Sequence, residues 1–125
     1  MPLTSESLVG LVPTTNSARA KAFYIDTLGL TFISDDQFAV VVRSGPNQIR
    51  IVKVESFTPQ TFTVLGWAVG DVAATVRDLA QRGVQFLRFE GMEQDEDGIW
   101  NPTGGGGVAW FKDPDGNTLS VSSHQ

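Results

Sequence analysis

Cysteine is absent from the 125 residues, and histidine occurs once, at His124. Disulfides, thiolate metal sites and a cysteine nucleophile are therefore closed to this chain. One histidine cannot build a two-histidine, one-carboxylate metal site. Base is also scarce. Nine Lys and Arg against 14 Asp and Glu give a net charge of −5, with a pI near 4.6. Nucleic acid and anionic membranes both need a basic face, so the expectation is no nucleic-acid and no membrane partner. There is no long hydrophobic run, and the opening MPLTSESLVG has no basic start. This predicts neither a leader nor a membrane span, and a cytoplasmic location.

What is present is organised around its last long stretch, GVAWFKDPDGNTLSVS, residues 107–122. Two apolar-rich runs, 108–111 and 118–121, flank Asp113-Pro114-Asp115-Gly116-Asn117. Pro114 pre-sets φ for a turn, Gly116 and Asn117 tolerate positive φ, and Asp113 can accept a backbone N–H two residues on. A β-hairpin is the local reading. Residues 41–51 lie on 111–121 without a gap at a shift of 70. Asn47 then falls on Asn117, and Arg50 on Ser120. Residues 29–32 match 83–86 at a shift of 54, so the second copy holds about 15 additional residues, within 90–107. The chain reads as a duplication.

Each copy is expected to be a strand, a helix and three strands. In the first, the strand is 8–12, and 13–17 is a loop with Asn16 or Ser17 as N-cap. The helix is 18–28, with Gly29 just past its end. Strands follow at 30–34, 38–43 and 49–54. In the second, the strand is 64–69, Asp71 is the N-cap, the helix is 72–82, and strands follow at 84–89, 108–111 and 118–121. The fold class is α+β: tandem βαβββ modules in one domain, 1–125, with module one at about 6–55 and module two at about 62–123. The insert EGMEQDEDGIWNPTGGGG is too long for a hairpin loop, and loops of that length are usually functional or disordered. Its Gly104–Gly107 run lacks the Lys-Ser/Thr of a phosphate loop.

Three segments resemble one family. Ala22 to Leu30 (AFYIDTLGL) is similar to its AFYxxxLGL, Val69 to Ala74 (VGDVAA) to its VxDVxAA, and Phe111 to Asn117 (FKDPDGN) to its FxDPDGN. Order and spacing are those of the vicinal oxygen chelate superfamily, which includes glyoxalase I, extradiol dioxygenases, and bleomycin- and fosfomycin-resistance proteins. The resemblance implies two curled open sheets forming a U-shaped open-barrel cleft, and pairing of chains as a homodimer. It also implies, in members with chemistry, a divalent metal held by His, Gln or Glu from the first and last strand of each module. The matching positions here are Val9 (Leu8 with a one-residue slip), Arg50, Val64 (Leu65 with a slip) and Ser120. None is a good ligand for zinc, iron, nickel or manganese, so the expectation is a cleft without metal or other cofactor.

Candidate ligand-binding residues are Arg50, Trp100, Val9, Val64, Ser120, Phe38 and Phe62. Arg50 has two readings: a cleft residue binding a carboxylate, phosphate or aromatic face, or an outward arginine tied to a neighbouring carboxylate. Register decides, because one residue of slip inverts the face. Trp67 and Trp110 are expected in the core. Trp100, in the long loop, is expected as a pocket wall or dimer contact. Tyr24 is read as packing. The acidic run 90–97 is read as a solvated face, with an acidic lip for a cationic ligand, or a calcium site, as its functional alternatives; it lacks the alternating oxygen-ligand spacing of an EF-hand loop. No base stands ready to make Ser120 a nucleophile. The function expected is metal-independent binding of a small, partly aromatic molecule, after the drug-sequestering branch. The alternatives are a glyoxalase- or dioxygenase-like enzyme using carboxylates such as Glu55 or Glu90, and a dimeric scaffold.

Overall fold

The computed structural model describes residues 2–102 and 104–123, so His124 lies outside the described residues. The chain divides into two compact units, Met1–Thr58 and Pro59–Gln125.

The first unit contains β1 (Val9–Thr14), α1 (Ser17–Lys21), a π-helical continuation (Ala22–Thr27), β2 (Thr31–Asp35), β3 (Ala39–Ser44) and β4 (Asn47–Lys53). Asn16 is the N-cap, its side-chain oxygen accepting the N–H of Arg19 at 3.1 Å. The expected single helix widens after Lys21, where the N–H of Leu28 bonds to the carbonyl of Phe23, five residues back. Gly29, at φ 80°, follows it in the left-handed region that favours glycine. The sheet order is β1-β4-β3-β2, with β1 parallel to β4 and the other pairs antiparallel.

Pro13 was expected in a loop. It instead lies inside β1, which is an edge strand, where a missing N–H leaves no central ladder bond unmade. Val12, Thr14, Val40, Val42, Ile49 and Ile51 form one face and are each no more than 3% exposed. Ala20 and Tyr24 of the helical segment are fully buried, as packing required.

The second unit contains β5 (Leu65–Ala68), α2 (Val72–Gln81), β6 (Val108–Lys112) and β7 (Thr118–Ser122). Asp71 caps α2 by accepting the N–H of Ala74 at 3.0 Å. The helix turns Val72, Val76 and Leu79 inward and packs on β6 and β7. The sheet order is β5-β7-β6, with β5 parallel to β7. As in the first unit, the first strand runs parallel beside the last, and this is the duplication seen as topology.

The expected strand at 84–89 shrinks to a single bridge, Phe86 to Phe111. The long loop takes up the rest of that edge. Trp100 exchanges both backbone hydrogen bonds with Val108 at 2.9 Å, and the Gln94 side chain claims the N–H of Phe89 and the carbonyl of Leu87.

The hairpin closes as its turn chemistry requires. Asp113 accepts the N–H of Asp115 and of Asn117, and the Asn117 amide donates to its other oxygen at 2.8 Å. Both side chains are buried.

Candidate functional site on the open sheet faces

Strand register sorts the candidate residues by face. In the first sheet Arg50 stands between Leu11 of β1 and Val41 of β3. That face is opposite the buried Val12–Ile51 face, because side chains alternate. Val9, two residues before Leu11, shares it and is half exposed. Arg50 is partly buried and makes no salt bridge among the described residues. Its charge acts at longer range on Asp36. That carboxyl lies below its ordinary value mainly because the backbone N–H groups of Phe38 and Ala39 bond to it, with Arg50 and Lys53 adding to the effect. Of the two readings of Arg50, the one tied to a carboxylate partner is thus not found among the described residues.

Phe38 does not join this face. Its carbonyl accepts the N–H of Lys53, which puts it in phase with Val40 and Ile51, and it is 65% exposed at the sheet's end. Its position before Ala39 hid this, since the phase follows only from the β3–β4 pairing.

In the second sheet Ser120 pairs with Gly66 on one side and Trp110 on the other. Val64 bonds its N–H to the carbonyl of Thr118 and shares this phase. The opposite face carries Ala109, Phe111, Leu119 and Val121, all nearly or fully buried. Trp67 shares that face, stacked on Phe111 at 6.4 Å with ring planes 18° apart, but it is only partly buried.

Trp110 does not belong there, which corrects its assignment to the core. It stands beside Ser120 and is only partly buried. Counting outward from the Asp113–Asn117 closure would have paired it with Ser120. Its ring meets Trp100 at 6.2 Å and Phe89 edge-on at 5.4 Å, and its Nε1–H donates to Thr63 Oγ1 at 3.1 Å.

The long loop therefore delivers Trp100 to the Ser120 face by extending the β6 edge. Gly107 makes this possible. Its φ is 96°, and a Cβ there would lie 2.6 Å from Ile99 Cγ2 and 3.1 Å from the carbonyl oxygen of Trp100. Gln94 braces the loop with bonds to Leu87, Phe89 and Gly98. Phe62, two residues before Val64, is exposed. Trp110, Phe89, Thr63 and Gln94 escaped sequence reasoning because their meeting depends on how a long irregular loop folds back.

The family resemblance implies a metal at the positions of Val9, Arg50, Val64 and Ser120. Their chemistry does not fit one: two hydrocarbons, a permanent cation and a hydroxyl. Among the described residues, no three His, Cys, Asp or Glu side chains gather as a metal site.

The sequence profile of the Glyoxalase/Bleomycin resistance protein/Dioxygenase superfamily matches residues 8–121. No match was found among curated proteins. Among solved structures, TnmS3, an antibiotic binding protein from Streptomyces sp. CB03234, is similar at a TM-score of 0.71 and 22% identity, with 98% of each chain covered. UcmS2 is similar at a TM-score of 0.73 and 20% identity, covering 98% of this chain and all of that one. A putative glyoxalase family protein from Bacillus anthracis is similar at 0.72 and 16%, covering 98% and 97%. No helix among the described residues is long and apolar enough to cross a membrane. With its profile matched from residue 8 to residue 121, the chain belongs to the Glyoxalase/Bleomycin resistance protein/Dioxygenase superfamily.

Proposed function

We propose that the protein binds a small, partly aromatic molecule without a metal, and sequesters it rather than transforming it. The observation that carries this reading is the ring cluster of Trp100, Trp110 and Phe89 on the Ser120 face. Where the family resemblance implies a carboxylate, this sheet carries the nearly buried Ser120 hydroxyl beside indole surface. Such a surface binds flat ligands by stacking and desolvation. The likeness to an antibiotic binding protein supports the reading.

Arg50 supplies a cation that makes no salt bridge among the described residues, suited to orienting an acidic or electron-rich group. Val9 and Val64 supply apolar surface. Exposed Leu8, Val9 and Leu11 on the first unit give a second copy of the chain an apolar surface to cover, so a homodimer belongs to the proposal.

The test takes a ligand found by tryptophan quenching from a panel of antibiotics and aromatic metabolites. A hydrogen bond to a charged group is worth about 1.5–3 kcal/mol, so Arg50→Ala should weaken binding about ten- to a hundred-fold. Trp100→Ala should weaken it chiefly through faster release. Wild-type affinity in both folded variants would overturn the placement.

A further inference from the structure

A groove of about 470 Å³ opens in the long loop, lined by Gly91, Met92, Glu93, Trp100, Asn101 and Pro102. Its volume falls within the range of about 300–1,000 Å³ usual for small-molecule sites. Its walls combine an indole, a thioether and one carboxylate, with no cationic side chain among them. Such a lining suits a positively charged organic group. Indole attracts a cation through its ring quadrupole, methionine adapts to irregular shapes, and a carboxylate supplies the countercharge.

The surroundings reinforce this sign. Residues 90–107 include Glu90, Glu93, Asp95, Glu96 and Asp97 and no Lys or Arg. Two cations approach the loop from elsewhere. Arg88 donates to the carbonyl oxygens of Glu96, at 2.6 Å, and Gln94, and Arg77 pairs with Asp97 at 3.6 Å. Asp95 is occupied too, accepting the N–H groups of Asp97 and Ile99. The exposed side chain of Glu93, which lines the groove, has neither a hydrogen bond nor an ion pair among the described residues.

We infer that this groove binds an alkylammonium group attached to a flat apolar body, with the cation held between Trp100 and Glu93. The inference rests on the proposed role of Trp100 in ligand binding and adds the charge of the group that Trp100 takes. An anionic group is disfavoured here, whereas Arg50 favours one.

The test uses two probes of nearly equal shape, benzyltrimethylammonium and its neutral analogue neopentylbenzene. Tryptophan fluorescence titrations are run on wild type, Glu93→Gln and Trp100→Leu. The expected result is saturable binding of the cation by wild type, with the neutral analogue about ten-fold weaker or more. Glu93→Gln should weaken the cation about three- to ten-fold, and Trp100→Leu should remove its binding. Equal affinity for the two probes, an unaffected Glu93→Gln or no response in wild type would each overturn the inference. If the groove fails while neutral aromatic ligands still bind and respond to Trp100→Leu, the broader function stands without it.

Discussion

Gly66 and Ser120 face each other across β5 and β7, so closely that a methyl group on Gly66 would lie 2.6 Å from the Ser120 hydroxyl oxygen. The serine thus folds over a position with no side chain, and it is only 8% exposed. Its other neighbour, Trp110, carries the ring cluster.

Gly66→Ala should therefore cost about 1 kcal/mol, because the Ser120 hydroxyl must leave its position. The nearest backbone atom, the Ser120 carbonyl oxygen, is 3.5 Å away, so the strain lies in the hydroxyl alone. In a Ser120→Ala background the same change should become neutral or stabilising, since it then only restricts the unfolded chain. A double-mutant cycle by urea denaturation measures the coupling. Additive effects would show that the contact is not what holds Gly66 in place.

Gln94→Ala should loosen the long loop while the sheet stays folded. The amide serves Phe89, Leu87 and Gly98, and its loss leaves two carbonyls and one N–H without these partners. Amide exchange at Trp100 and Val108, whose mutual bonds join the loop to β6, should accelerate about ten-fold or more. Unchanged exchange there would mean that the Trp100–Val108 ladder stands without Gln94.

Acidification should weaken the first unit through Asp35. Its carboxyl lies below its ordinary value of 3.8, first because Lys53 hydrogen-bonds to it at 2.6 Å and then because Lys21 does at 3.0 Å. A carboxylate depressed in the folded state stabilises above its unfolded value. That contribution is lost as pH falls through the lower folded value. Asp36 is shifted in the same direction by the N–H groups of Phe38 and Ala39. Denaturation midpoints at about pH 7 and about pH 3 should differ less in Asp35→Asn/Asp36→Asn than in wild type. An identical acid loss in the two proteins would assign it to other carboxylates.

The architecture was readable because duplicated punctuation marks it. Asn16 and Asp71 cap the helices, Gly29 and Gly83 follow them at positive φ, and Asp113 to Asn117 closes the last hairpin. These are local signals, and each works within a few residues. The site depends on longer relationships. Arg50 and Ser120 were reachable as equivalent positions of the repeat. Trp110 was misplaced because its face follows from pairing across the turn rather than from its own strand. Phe38 shows the same limit at the end of β3. The π-type widening after Lys21 left no mark in the helical spacing of 18–28 that was read. The 90–107 loop follows no period at all. It is tied down by scattered contacts: the Gln94 amide, the Asp95 carboxylate, Arg88 on two carbonyls and the bridge between Trp100 and Val108.

Metal-independent capture of a flat small molecule is open to a single titration. Protein treated with EDTA and passed free of chelator is titrated with the ligand found by tryptophan quenching, with and without added zinc, nickel or iron. Saturable quenching at one equivalent per chain is expected, with the same affinity whether or not metal is added. Binding that appears only after a divalent metal is restored would contradict it.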